Sequence, residues 1–426
     1  MGSDVALDSA KPIAPSADGS AAVDGRLADW LRRVAEIGPG LAARAALNDQ
    51  AAGFAVEDFA DLRRSGLLGL CVPVEDGGLG AGMEAFMRVA AELGRFSGAT
   101  ALGFSMHATQ SLWTGPVMAA LGLPAADAQA HRSRLVDHNT AIVQQGRLCA
   151  QAISEPGAAS AGVAPFATQA RVVDGGWRVS GHKVFVSMAG HADVYGVLCT
   201  EIGGHGLCGS RADTLFLRVP ADAPGLRVEG AWDPLGMRAT VSRGLRLDEV
   251  FVPAGALLLP RGAWHLAAGR FPHMLAMLMP AYMGQAQAAY DFTVDYLLGR
   301  VPGMAPVQRR MYPTKQAAVA QMRVQLEGMR ALFLQTAREA RIDPDHDARM
   351  RLYAAQYTVM EGAHDLCRLA LRTCGGQAMM RSFPLERLFR DTRCGALMLP
   401  LTAELCLERL GHECLYQGPM DDEVIE

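Results

Sequence analysis

Gln169-Ala-Arg-Val-Val-Asp-Gly-Gly-Trp-Arg-Val-Ser180 reads as a β-hairpin set in a chain whose remaining text is mostly helical. Two runs rich in β-branched and aromatic residues flank Gly175-Gly176, and paired glycines supply the backbone freedom of a tight turn. The same texture continues in Val194-Tyr-Gly-Val-Leu-Cys199, Thr214-Leu-Phe-Leu-Arg-Val219 and Leu245-Arg-Leu-Asp-Glu-Val-Phe-Val252, and Pro253 closes it. The strand spacing predicts an antiparallel β domain of about 110 residues.

On both sides the period changes to that of helices. Arg26-Leu-Ala-Asp-Trp-Leu-Arg-Arg-Val-Ala35 and residues 56–64 repeat apolar side chains at helical spacing, with Gly66 as a stop and residues 72–80 as a turn-rich break. Residues 83–93 and 100–113 resume as helices, the second almost wholly apolar and therefore expected inside. Beyond the β domain, residues 275–298, 315–341 and 350–373 predict long one-faced helices of a bundle, Gly375-Gly376 ends the third, and residues 401–410 form a last helix. The expected architecture is α+β, mostly α: a flexible leader (1–25), an N-terminal helical domain (26–146), a central β-barrel domain (147–260) and a C-terminal four-helix bundle (261–426).

Composition narrows the class of protein. Half of the 426 residues are hydrophobic and 20% are charged, enough for a large core and unlike a disordered chain. The net charge of −4 gives no reason to expect nucleic acid or an anionic membrane as a partner. Nine scattered cysteines without a CxxC pair point to reduced thiols and a cytoplasmic location, and no metal-binding spacing is present. The leader lacks the basic start and apolar core of a secretory signal. The longest apolar run, residues 274–283, contains Pro280 and falls short of the about 18 residues of a membrane span.

Four segments carry a family resemblance. They are Ala152-Ile-Ser-Glu-Pro-Gly-Ala-Ala-Ser160; Gly181-His-Lys-Val-Phe-Val-Ser187; Leu235-Gly-Met-Arg-Ala-Thr240 with Val250-Phe-Val-Pro253; and Gly375-Gly-Gln-Ala378 with Pro384-Leu-Glu-Arg-Leu-Phe-Arg-Asp391. In this order and spacing they resemble the acyl-CoA dehydrogenase superfamily over residues 27–411. The resemblance implies FAD as cofactor and an acyl thioester, on CoA or a carrier protein, as substrate. It also implies an electron-transfer flavoprotein or oxygen as acceptor, and a homodimer or homotetramer. It sets Ser154 on the pyrimidine side of the flavin, Ile153 with its backbone toward the ring, Gln151 at an outer position, Phe185 against the ring and Ser187 near N5. Ser160 is placed toward the substrate's pantetheine or the flavin phosphates. Gly375, Gly376 and Gln377 are placed at the flavin's adenosine part in a neighbouring subunit. Glu386 and Arg390 are four residues apart, suited to an ion pair, and Arg238 suits a structural role.

The chain departs from the family at its chemical centre. Dehydrogenation removes a proton from the acyl α-carbon and needs a carboxylate base. The family's usual glutamate lies eight residues past the aspartate of the Arg-Asp pair, which here is Leu399. The position used by a minority of members aligns with Met274, beside His273. Three readings stand open: a base from elsewhere, with Glu404 and His273 as candidates; an oxygenation that needs no such base, with His107 on its apolar helix as a candidate; or a catalytically inactive homologue that binds thioesters.

Overall fold

The computed structural model describes residues 20–157, 165–203, 211–302 and 309–416. The N-terminal helices are α1 (Ser20–Ala51), α2 (Val56–Arg64), α3 (Met83–Phe96), α4 (Gly98–Leu112), the single turn α5 (Met118–Ala120) and α6 (Ala125–Gln145). Along α1 the buried side chains Leu27, Trp30, Val34, Leu41 and Ala45 recur at steps of three, four or seven, one stripe on the core. Every residue of α4 is buried, as its composition predicts.

The sheet contains β1 (Cys149–Ala152), β2 (Gln169–Val173), β3 (Gly176–Val186), β4 (Val194–Ile202), β5 (Thr214–Pro220), β6 (Leu226–Glu229), β7 (Arg243–Pro253) and β8 (Leu257–Leu259). Its hydrogen-bonded path is β6-β7-β3-β2-β4-β5-β8, with β1 also on β4. The expected hairpin is β2–β3, with Val173 opposite Gly176, so the turn is Asp174-Gly175 rather than the glycine pair. Gly175 takes the left-handed φ of +74°. The sheet is mixed rather than purely antiparallel, because β4 runs parallel to both β1 and β2. Period-two patterning marks strands but carries no direction, which the connections decide.

After α7 (Ala263–Arg270) and a 3₁₀ turn at Pro272–Ala276 come α8 (Met279–Leu298), α9 (Pro313–Arg338), α10 (His346–Cys374), α11 (Pro384–Gly395) and α12 (Ala403–Leu415). The first helix of the bundle therefore starts four residues later than its apolar run suggests, with Pro280 in its first turn, where no intrahelical donor is lost. The short helix α11 escapes a reading based on apolar length, since half of its residues are charged or polar. α8 to α11 pack as four helices, and α12 leans on α10. The bundle meets the N-terminal helices at a close crossing of α3 and α8. A side chain at Gly284 would lie 2.1 Å from the Ala91 carbonyl, so only glycine allows it. No described helix is long and apolar enough to cross a membrane.

One polar knot joins all three regions. Arg390 on α11 pairs with Asp49 of α1 (2.6 Å) and with Glu386 (2.9 Å), the expected ion pair. Arg238 donates to the Asp49 carbonyl and to Asp233, a structural role as its position suggests. Asp391 next door is buried and accepts the Met237 amide at 2.5 Å. Burial pushes its carboxyl up to about 6 from 3.8, against the lowering by Arg387 and that amide. A carboxyl raised on folding stabilises fully below its unfolded pKa, and that contribution fades as pH rises through the folded value. We therefore expect Asp391→Asn to gain about 3 kcal/mol relative to the natural chain between about pH 4 and pH 7, read from denaturant midpoints at each pH. A constant difference across that range would contradict the burial of an ionisable carboxyl there.

Candidate active site

Lys183 occupies an inward position of β3 and has no exposed surface. Its ammonium meets Glu155 at 2.8 Å, donates to the Ile153 carbonyl at 3.3 Å and lies 4.9 Å from the centre of the Phe166 ring. Glu155 in turn accepts the amides of Ala167 (2.6 Å) and Thr168 (2.8 Å). Burial opposes the charge on Glu155, but Lys183 and the amide donors outweigh it and hold the carboxyl below its usual value. The Val184 amide adds a bond to the Ser154 carbonyl at 2.9 Å. Residues 153–155 are thus fastened flat against β3.

Beyond Lys183 the register of β3 shifts, and Phe185 adopts φ +54°. The irregularity turns the phenyl ring outward, 73% exposed, while Val186 and Ser187 return to the interior. Met188, Met237 and Val241 also take positive φ, and the segments are laced by Met188 N–H to Thr240 O (2.8 Å) and Ala189 N–H to Val241 O (3.2 Å). Non-glycine residues at positive φ, above all a β-branched valine, are costly and gather at functional sites.

Ser187, Ser242 and Thr240 form a hydroxyl chain with steps of 2.9 and 2.8 Å. Thr240 also reaches the Met237 carbonyl at 2.8 Å. Thr240 has one hydrogen and spends it on that carbonyl, so Ser242 donates to Thr240 and Ser187 donates to Ser242. This order leaves the Ser187 oxygen free to accept a further hydrogen bond. Neither Ser242 nor the Lys183–Glu155 pair was singled out from sequence, although Lys183, Glu155 and Thr240 stand inside the quoted motifs.

Gln151 on β1 is buried rather than outer. Its amide nitrogen donates to Met106 O and Thr109 Oγ1, each at 2.8 Å, and its carbonyl oxygen has no partner among the described residues. Thr109 touches Met277 Sδ at 3.3 Å, which brings the start of the bundle against α4 and β1. Gly375 ends α10 with φ +86°, and its turn packs on α10 and α11 rather than on the sheet wall of the same chain. Ser160 lies outside the described residues.

The three candidate catalytic residues fare differently. His107 is fully buried and both ring nitrogens are spent: Nε2 meets Leu68 O at 2.9 Å, and Nδ1 accepts the Cys149 amide at 3.1 Å. It is a strut that hangs β1 on α4. Glu404 stands exposed in the first turn of α12, whose cap is Thr402. His273 is fully buried, and neither ring nitrogen has a partner among the described residues. Burial pushes its pKa down to about 4, with Glu339, Arg349 and Arg341 as the charges it senses, so it belongs to the α9–α10 end of the bundle. Met274 is fully buried and Leu399 half-buried, and neither position offers a proton acceptor.

Comparison with known proteins completes the assignment. Three family models match in order: acyl-CoA dehydrogenase N-terminal domain (residues 27–125), middle domain (150–250) and C-terminal domain (276–398). L-evernosamine nitrososynthase of Micromonospora sp. is 32% identical over 432 residues, covering 96% of this chain and 93% of that protein. The chain belongs to the acyl-CoA dehydrogenase superfamily. An acyl-CoA dehydrogenase of Bacillus subtilis is 25% identical over 336 residues, covering 78% of this chain and 82% of its own length. Among solved structures, KijD3 with FMN and a dTDP-linked amino keto sugar matches with a TM-score of 0.76 and 25% identity, covering 92% of this chain and 94% of that one. The superfamily makes this chain an oxidoreductase of the flavoenzyme type.

If His107 is a strut, replacing it with Leu strands the Cys149 amide and the Leu68 carbonyl, at a cost of about 2–4 kcal/mol. Burial sets its pKa at about 4 instead of 6.5, so its contribution is present above 6.5 and lost as pH falls through 4. The natural chain should therefore lose stability in acid that His107→Leu does not lose. A shifted pH profile of turnover with unchanged stability would instead make it a catalytic group.

Proposed function

We propose that this protein is an FAD-dependent monooxygenase on the acyl-CoA dehydrogenase scaffold, acting on a nucleophilic atom such as the nitrogen of an amine. The observation that carries the reading is the absence of a usable carboxylate at the base positions. Leu399 and Met274 fill them, Glu404 is exposed, and the buried carboxylates Glu155 and Asp391 are committed to Lys183 and to Met237. Oxygenation of an electron-rich atom needs no base at an α-carbon. The 32% identity to an amino sugar nitrososynthase along almost the whole chain supports the same class.

The residues present fit a flavin. The Ser187 oxygen, its hydrogen donated to Ser242, is free to accept from a flavin N–H, the Gln151 carbonyl oxygen is buried without a partner among the described residues, and the outturned Phe185 gives a flat apolar surface. Ile153 and Ser154 contribute backbone and hydroxyl on the segment that Lys183 and Glu155 immobilise. Gly375, Gly376 and Gln377 serve a neighbouring subunit's cofactor in this reading, which makes the working protein a homodimer or homotetramer. When bound, the flavin supplies two-electron reduction and reaction with oxygen. The protein's part is to orient it, to keep water from one face and to present the Ser187 oxygen as an acceptor.

A second reading is dehydrogenation of an acyl thioester, CoA- or carrier-bound, with an electron-transfer flavoprotein as acceptor. The family match and the two unpartnered nitrogens of His273 favour it, the latter as an unconventional base.

The test is direct. Flavin-loaded protein is mixed anaerobically with a series of acyl-CoA thioesters, then photoreduced and mixed with oxygen. We expect no thioester to bleach the flavin, and reoxidation at least about tenfold faster than that of an acyl-CoA dehydrogenase measured alongside. Bleaching by a thioester, abolished by His273→Ala, would replace the first reading with the second.

A further inference from the structure

A cavity of about 500 Å³ opens where α1, α3, α8 and the start of α11 converge. None of its lining residues comes from the β sheet or from the Gly375–Gln377 turn, so it shares no residue with the cofactor site described above. Its size is that of a small-molecule site. Part of the wall is apolar: Phe96 and Phe383, each half-buried, with alanines of α1 and α8 between them.

The charges around it are unevenly committed. Three carboxylates line the cavity, and each is already taken. Asp49 and Glu386 hold Arg390, and Asp291 holds Arg95 at 2.8 Å. Arg381 and Arg387, on the same wall, have neither an ion pair nor a hydrogen bond among the described residues. Arg387 Nη1 is withdrawn from solvent without any acceptor. The charge that Arg387 meets is that of Asp391, but the nitrogen cut off from water has no acceptor among the described residues, which is costly and leaves it ready for a ligand's oxygen. Between these arginines α11 begins, with Pro384 in its first turn and no side-chain cap at Phe383. Its first free amides add donors at the positive end of the helix dipole.

We propose that this cavity is a second ligand site, taking a phosphate ester with a flat apolar body whose phosphate is held by Arg381 and Arg387. The guanidinium pair suits a dianionic, multidentate acceptor better than a single carboxylate. The aromatic and alanine wall gives the body of the ligand a dry surface that inorganic phosphate could not use. Adenosine monophosphate serves as probe, with inorganic phosphate as the comparison.

Flavin-loaded protein titrated calorimetrically with adenosine monophosphate should bind one molecule per chain, at least about tenfold more tightly than it binds phosphate. Arg387→Gln and Arg381→Gln should each weaken binding about tenfold or more, and Ala46→Phe, which fills the cavity from the exposed side of α1, should block it with both arginines intact. The flavin spectrum should stay unchanged in all three. The proposal is overturned if the natural chain binds neither probe at millimolar concentration. Equal binding by the arginine variants also overturns it. Equal affinity for phosphate and the nucleotide removes the apolar half of the site. A fall in sedimented mass of the Ala46→Phe protein identifies the cavity as a seam between copies of the chain and likewise overturns the proposal.

Discussion

A lysine ammonium with no exposed surface survives in a protein only beside a negative charge, and here that charge is Glu155 at 2.8 Å. Removing two ions from water costs several kcal/mol each, and their attraction returns this only when the remaining donors and acceptors are also satisfied. The structure meets that condition. Glu155 takes two amides besides Lys183, and Lys183 also meets a carbonyl and the face of Phe166. The pair therefore contributes little net stability but fixes geometry. It clamps residues 153–155, the loop at 166–168 and strand β3 in a single arrangement. The irregular backbone of Phe185 and Met188 begins two residues further on, where rigid support is needed to maintain it.

This arrangement separates cofactor binding from substrate chemistry. The wall that would receive a flavin carries polar equipment suited to it: a hydroxyl chain of fixed direction, a carbonyl oxygen without a partner among the described residues, and a pinned backbone. The two positions at which the family's proton acceptors would stand carry Met274 and Leu399, which offer none. In the proposed reading the scaffold retains the redox half of a family reaction without its acid–base half. Membership of the superfamily fixes the former and says little about the latter.

Much of this could be read before the fold was seen. The hairpin at residues 169–180 marks the β domain, and the four motifs place Ser154, Ser187 and the Gly375 turn in order. What escaped has physical causes. Strand direction is not encoded in alternation, so the parallel pairing of β4 with β1 and β2 was invisible. Helix α11 is short and charged, and its buried stripe of Leu385, Leu388, Asp391 and Thr392 contains polar residues that an apolar period does not reveal. Gln151 points inward because the α4 backbone offers its amide a carbonyl at Met106, a long-range contact that no local pattern carries. The two hydrogen-bond partners of His107, Leu68 and Cys149, are 39 and 42 residues away, so no local pattern announces them.

The central claim is that the buried Lys183–Glu155 pair holds the cofactor wall in place, and a double-mutant cycle on flavin affinity tests it most directly. Lys183→Met and Glu155→Gln, singly, each leave one buried charge alone and should weaken flavin binding at least about a hundredfold. The double variant, with no buried charge, should recover a substantial part of that loss. If either single variant binds flavin as tightly as the natural chain, the pair is not what positions the wall.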